Sequence, residues 1–253
     1  MTNLRLFDMH CHLDFAPDAH TAAEDMAREG LGAFATTVTP EGFECASALF
    51  AGCENVRTGL GMHPWWIADG RCGEDDVALF ERLAVDARFV GEVGLDFGPR
   101  HAASREVQLA AFNRVAAACA SGGKLLSLHA VKAAHAVLDV LEEAGALEGN
   151  ACVFHWFTGS SDELQRVLRA GCCVSVNPRM LATKRGREYA RIIPEDRLLL
   201  ETDAPPEGEP YEVELEVARL EDMLDELAEL RRVDRAELSE RSAATSARLL
   251  ALS

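Results

Sequence analysis

Short apolar runs alternate along the chain with longer stretches whose apolar positions recur every three to four residues. Strand-like runs of four to eight residues fall at 4–10, 33–39, 57–62, 89–94, 125–128, 151–155, 172–176 and 198–201. Helical spacing occupies 21–29, 75–86, 104–120, 133–144, 187–192, 213–230 and 235–250. Gly30 stops the first helical stretch, and Gly122 and Gly123 stop the third. Ser160, with Glu163 three residues on, has the form of a capping box and opens a further helix. Parallel strands need crossover helices, so regular alternation predicts an α/β chain with a parallel sheet. Eight such units predict a single (β/α)8 TIM barrel over 1–253, a size typical of that fold as one domain. An open doubly wound sheet would carry a glycine-rich phosphate loop after its first strand. Here that place is taken by His-Cys-His-Leu-Asp.

Chemistry-bearing residues cluster at the ends of these strands. His10 and His12 close the first, His63 the third, and Glu92 and Asp96 the fourth. His129 closes the fifth, His155 the sixth and Asp203 the eighth. In a barrel the strand C-termini converge on one face, where active sites lie. Residues two apart on a strand share a face, which groups Asp8, His10 and His12, then Glu92 and Asp96, then Glu201 and Asp203. Gly94, between Glu92 and Asp96, is expected to leave room for an ion or a ligand.

Imidazole suits zinc and other first-row metals, and carboxylates accept harder ions such as Mg²⁺ or Mn²⁺. His10, His12, Glu92, His129, His155 and Asp203 form a mixed donor set large enough for two divalent ions (Zn, Mg or Mn), with Glu92 placed to bridge them. Such a centre hydrolyses bonds by activating water, and Asp203 is the candidate to orient or deprotonate that water, with Glu92 beside it as a catalytic group. Asp8, Asp14, Asp96 and Glu201 are expected to support ligands rather than serve as ligands. His20, His101 and His135 read as ordinary surface residues.

Composition narrows the classes. The formal net charge of −17 favours solubility and disfavours a broad polyanion-binding surface. The eight cysteines include no CxxC pair, which removes zinc-ribbon and thioredoxin readings and fits reduced, buried thiols. No apolar run reaches the roughly 18 residues of a membrane span, and the start of the chain shows no leader pattern. The expectation is a cytoplasmic protein with no membrane partner, working as a monomer.

Six ordered segments carry a family resemblance: Phe-Asp-Met-His-Cys-His-Leu-Asp at 7–14, Gly-Met-His-Pro-Trp at 61–65, Gly-Glu-Val-Gly-Leu-Asp-Phe at 91–97, His129 after an apolar strand, His-Trp-Phe-Thr-Gly at 155–159 and Glu-Thr-Asp-Ala-Pro at 201–205. The chain resembles the TatD-like metal-dependent hydrolases of the wider amidohydrolase barrel group. The resemblance implies a (β/α)8 barrel, metal ligation by His10, His12, Glu92, His129, His155 and Asp203, and hydrolysis of phosphodiesters, typically single-stranded DNA from a 3′ end. Two family features are absent. Val131 stands where the family often has Arg, and Pro-Glu-Gly-Glu-Pro-Tyr at 206–211 replaces a longer segment with an Arg-Asn-x-Pro-like motif. Both missing elements would be expected to help hold substrate. Candidate substrate contacts are His63, Trp65 and, in a basic stretch after the seventh strand, Lys184 and Arg185. Hydrolysis of an amide, lactone or aminoacyl ester is the alternative, because the same centre serves those bonds. A metal-holding interaction protein without activity is a third reading.

Overall fold

The structure is a computed structural model describing residues 4–252; the first three residues, part of the chain start expected to show no leader pattern, lie outside them. The elements run β1 (Leu6–Cys11), α1 (Ala19–Glu29), β2 (Leu31–Thr36), α2 (Pro40–Leu49), β3 (Val56–Met62), α3 (Pro64–Ala68) and α4 (Glu74–Leu83). They continue as β4 (Phe89–Asp96), α5 (Arg105–Cys119), β5 (Leu125–Val131), α6 (Ala134–Glu143), β6 (Ala151–His155), α7 (Ser161–Arg169) and β7 (Cys173–Val176). The last are α8 (Pro178–Leu181), α9 (Lys184–Ile192), β8 (Leu198–Leu200), α10 (Val213–Arg231) and α11 (Arg235–Leu250). One eight-stranded sheet carries the strands in chain order. The pairings β1–β2, β3–β4, β4–β5, β5–β6 and β7–β8 are parallel. This is the (β/α)8 arrangement that the hydrophobic pattern predicts. No helix among the described residues is long and apolar enough to cross a membrane.

Two compact units make up the chain. One comprises residues 36–47 and 58–173, the other the remaining segments up to 35, 48–57 and from 174 on. The first holds most of β3, and β4 to β6, around fully buried Leu60, Met62, Phe80, Leu95, Phe112, Leu126 and Phe154. The second holds β1, most of β2, β8 and nearly all of β7, with Met9, Leu13, Met26, Leu31 and Phe34 fully buried. Within the second unit the first and last strands meet. The His12 amide donates to the Ala204 carbonyl at 2.8 Å, and the Asp203 amide donates to the His10 carbonyl at 2.9 Å.

Local chemistry explains where elements begin. The Ser160 hydroxyl accepts from the Glu163 amide at 3.2 Å, and the Glu163 carboxylate accepts from the Ser160 amide at 2.7 Å, which is the predicted capping box. Helix α9 starts at Lys184, three residues before the sequence reading has it, because the Thr183 hydroxyl caps the Gly186 amide at 2.9 Å. Three helices, α2, α3 and α8, are not predicted from periodicity. Each opens with proline after a capping residue: Thr39-Pro40, His63-Pro64 and Asn177-Pro178. Proline at the first helical position has no amide to leave unsatisfied and is already in helical φ. These helices are short or carry an internal glycine, so apolar spacing alone does not reveal them.

Strands β4 and β5 run further than the pattern suggests, pairing through Leu95–Ala130 and Asp96–Val131. His129 therefore lies inside a strand rather than at its end. The expectation for Gly94 is corrected as well. A Cβ there would meet the His129 carbonyl oxygen at 2.1 Å, and Gly94 holds φ of +142°. The space is filled by the β5 backbone, so this glycine serves strand packing and not an ion or a ligand.

Candidate metal centre

Glu92 owes its position to an irregularity in β4. The register shifts between Val90 and Val93 against β5, and between Leu60 and Met62 of β3 against β4. At that bulge the Glu92 amide donates to the Thr37 carbonyl at 2.8 Å, and the Thr37 amide donates to the Gly91 carbonyl at 3.0 Å. Bulges re-aim side chains and recur beside active sites. The Glu92 side chain is buried, and three imidazoles converge on its Oε1: His129 Nδ1 at 2.6 Å, His155 Nε2 at 2.8 Å and His63 Nε2 at 3.1 Å.

His129 lies between two carboxylates, with Nδ1 on Glu92 and Nε2 3.2 Å from Asp96 Oδ2. Burial alone would push its pKa down, but the bonds to Asp96 and Glu92 win and raise it. Asp96 is itself held by the Trp65 indole N–H at 2.6 Å and the Gly98 amide at 2.7 Å. Burial works to raise the Asp96 pKa, yet the bonds from His129, Trp65 and Gly98 bring it down to about 2. Gln108 of α5 secures the same strand end, accepting from the Asp96 amide at 2.8 Å and donating to the Asp96 carbonyl at 2.9 Å. Sequence reading does not single out Gln108. A polar residue buried on an otherwise apolar helix face is the signal that marks it.

His63 is drawn in by α3. As the residue capping that helix it accepts from the Trp65 amide through Nδ1 at 3.1 Å, which leaves Nε2 facing Glu92. With Nδ1 accepting, Nε2 carries the ring proton and donates toward Glu92, so His63 borders the cluster without offering it a lone pair.

The other unit carries a second set. His10 and His12 leave β1 with ring centroids 5.2 Å apart, and His12 stacks on Phe15 at 4.8 Å. Asp203 Oδ1 lies 3.7 Å from His10 Nε2 and 3.5 Å from His12 Nε2. Asp203 adopts φ of +58°, a left-handed conformation that aspartate tolerates better than most residues. Asp8, two residues before His10, is wholly buried and accepts from the Thr202 amide at 3.0 Å, the Thr202 hydroxyl and the Tyr211 hydroxyl at 3.0 Å. Burial pushes its pKa up to about 7 despite those bonds. Asp14 is likewise raised by burial, to about 6, with His12 opposing. Glu201 is buried and accepts from the Ser175 hydroxyl and the Asn177 amide group, so it ties β8 to β7.

Trp65, Lys184 and Arg185 are the remaining candidates. Trp65 is 40% exposed and packs edge-on against His63 and His129, with centroids 5.0 and 5.8 Å away. Lys184 and Arg185 are exposed in the first turn of α9 and form no ion pair among the described residues, whereas Arg187 and Arg191 pair with Glu226 and Glu188.

The donor set fits a divalent ion. Donor atoms of one tetrahedral ion, each about 2.0–2.1 Å from it, lie about 3.3 Å from one another. His129 Nδ1 and His155 Nε2 lie 2.6 and 2.8 Å from one Glu92 oxygen, close enough for one ion to take all three. Imidazole nitrogen with carboxylate oxygen suits Zn²⁺ and Mn²⁺ alike.

The chain is similar to proteins of known family. A family model described as TatD related DNase matches residues 7–251. A 3'-5' ssDNA/RNA exonuclease TatD from Dickeya dadantii is 38% identical over 151 residues, covering 57% of this chain and 55% of that protein. Its counterpart from Erwinia amylovora is 31% identical over 212 residues, covering 79% of this chain and 80% of that one. The chain thus spans about half the length of the Dickeya relative. A crystal structure of a TatD family hydrolase from Entamoeba histolytica superposes with a TM-score of 0.79 at 17% identity, covering all of both chains, which shows the shared fold.

Proposed function

The chain belongs to the TatD-related DNase family, and from that membership we propose that it is a divalent-metal-dependent phosphodiesterase that removes nucleotides from the 3′ end of single-stranded DNA. The observation that carries this reading is the convergence of three imidazole nitrogens on one Glu92 oxygen. Two divalent ions, Zn, Mg or Mn, are proposed to be held by His10, His12, Glu92, His129, His155 and Asp203, with His63 beside Glu92 as a proposed substrate contact. When bound, such ions act as Lewis acids and bring the pKa of water from about 15.7 towards 7.

The chain's own residues do the rest. Asp203, the partly exposed carboxylate of the set, is proposed to orient the attacking water and accept its proton. Asp96 fixes the His129 ring through Nε2, and Trp65 and Gly98 fix Asp96 in turn. Partners of this kind set the tautomer and orientation of a metal-bound histidine. Lys184 and Arg185, exposed in the first turn of α9, are proposed to draw the substrate's phosphates toward an otherwise acidic protein. The protein is proposed to work as a single (β/α)8 hydrolase domain and a monomer in the cytoplasm, where its eight free cysteines suit a reducing environment.

The test is a substrate panel with metal-reconstituted protein: single-stranded DNA, RNA, a chromogenic phosphodiester, and small amides and esters. Cleavage of the phosphodiesters, lost on chelation and in Glu92→Ala, is the expected result. Activity confined to amides or esters overturns the reading.

A further inference from the structure

Trp65 is a large apolar side chain left 40% exposed, directly against two histidines of the Glu92 cluster. Its indole is not loose. Nε1 donates to Asp96 at 2.6 Å, and the ring lies parallel to the half-buried His101 ring, with centroids 5.5 Å apart and planes 18° apart. The β4–α5 loop that presents His101 is equally fixed. The His101 amide donates to the Gly98 carbonyl at 3.0 Å, and the His101 carbonyl accepts from the Ser104 hydroxyl at 2.7 Å. Gln108 then joins the Ser104 hydroxyl to the Asp96 carbonyl, so the loop and the Asp96 strand end share one hydrogen-bond network. Residues 98–105 carry Arg100 and Arg105, both exposed, and no acidic residue, in a chain of net charge −17. A two-ring stack held rigid beside a candidate metal cluster, under a locally basic loop, matches the two needs of a single-stranded nucleic acid: a planar platform for a base and a cation for its phosphate.

We propose that Trp65 and His101 form a stacking platform for a nucleobase of the single-stranded substrate, with Arg100 attracting the adjoining phosphate. This rests on the phosphodiesterase reading and adds to it the group that recognises the base. Stacking tolerates any base, because every base has a π-face, and purines stack more strongly than pyrimidines. The platform supplies a substrate hold in a chain that has Val131 in place of a basic residue.

The test is fluorescence anisotropy with Mn²⁺-loaded protein and 5′-labelled, non-hydrolysable phosphorothioate octamers: oligo-dA, oligo-dT, oligo-rU and an abasic octamer. Wild type is expected to bind oligo-dA more tightly than oligo-dT or oligo-rU, and the abasic octamer most weakly. Trp65→Ala should weaken oligo-dA binding on the order of 5- to 100-fold, the range for loss of one stacked base, and His101→Ala should weaken it less. His101→Ala should leave abasic binding as in wild type, and Trp65→Ala should shrink the preference for oligo-dA over the abasic octamer. Trp65→Phe keeps a ring but loses the bond to Asp96, and should bind oligo-dA within about threefold of wild type. Equal binding of oligo-dA and the abasic octamer by wild type overturns the platform. So does unchanged binding by Trp65→Ala, or a Trp65→Phe defect as large as that of Trp65→Ala. Hydrolysis of a chromogenic phosphodiester by the same wild-type preparation reports separately on the phosphodiesterase reading.

Discussion

Glu92 and Asp8 are both buried carboxylates at strands that carry the candidate ligands, yet their surroundings differ in kind. Glu92 faces imidazole nitrogens at 2.6, 2.8 and 3.1 Å. Asp8 faces hydroxyls and amides, from Thr202 and Tyr211, and burial holds its pKa near 7. Imidazole is itself a metal ligand, so a carboxylate ringed by it is a candidate member of a donor set. A carboxylate whose oxygens are already taken by hydroxyls and amides fastens backbone to backbone, here β1 to the segment after β8. The same residue type therefore does two jobs, and the partner atoms decide which.

Removing the first kind of carboxylate should cost most. Glu92→Gln keeps the volume but replaces the charge, and phosphodiesterase activity should fall on the order of 10³-fold or more, measured as kcat/KM on the chromogenic diester. Thermal unfolding of that variant should show a folded protein. Asp96→Asn comes next. Its amide group would present donors to His129 and to the Trp65 indole, which also donates, so His129 loses its orienting partner. Metal affinity or activity should drop about 10–100-fold, with titration of the reconstituted enzyme as the readout.

Asp8→Asn should separate the two classes. It sets an amide group against the Thr202 or Tyr211 hydroxyl and should cost about 1–3 kcal/mol of stability, read from chemical denaturation, while metal content stays at the wild-type value. Loss of metal without loss of stability would place Asp8 with Glu92 instead. The smallest effect is expected at the surface: the double change Lys184→Glu with Arg185→Glu should raise KM for single-stranded DNA, with the difference shrinking as salt screens it. An unchanged KM at low salt removes both residues from substrate binding.

Much of the fold, and the candidate ligand set, is legible in the amino-acid sequence, for physical reasons that differ by element. The eight strands are short buried runs, and the longer helices keep a clear apolar stripe, so periodicity finds them. The ligand candidates are polar residues within or just beyond apolar strands, which is conspicuous in one dimension. His63 is harder to place. Its role depends on α3, a five-residue helix set by Pro64 and by the His63 ring itself, which is too short to leave a periodic trace. Gly94 misleads because an absent side chain looks the same whether a ligand or a backbone fills the space. The His129 carbonyl 2.1 Å from where a Cβ would sit becomes visible only in three dimensions. Gln108 draws no notice in the sequence and His101 reads there as an ordinary surface residue, because what distinguishes them is what they touch, Asp96 and Trp65, and not any spacing of their own.

The central claim is that Glu92 is the carboxylate about which the divalent ions are held. Metal stoichiometry tests it most directly: wild type, Glu92→Gln and Asp8→Asn are reconstituted with Mn²⁺ or Zn²⁺, dialysed, and measured by inductively coupled plasma mass spectrometry. Two ions per chain in wild type and in Asp8→Asn, with fewer than one in Glu92→Gln, is the predicted result. Fewer than one ion in wild type, or two retained in Glu92→Gln, would contradict it.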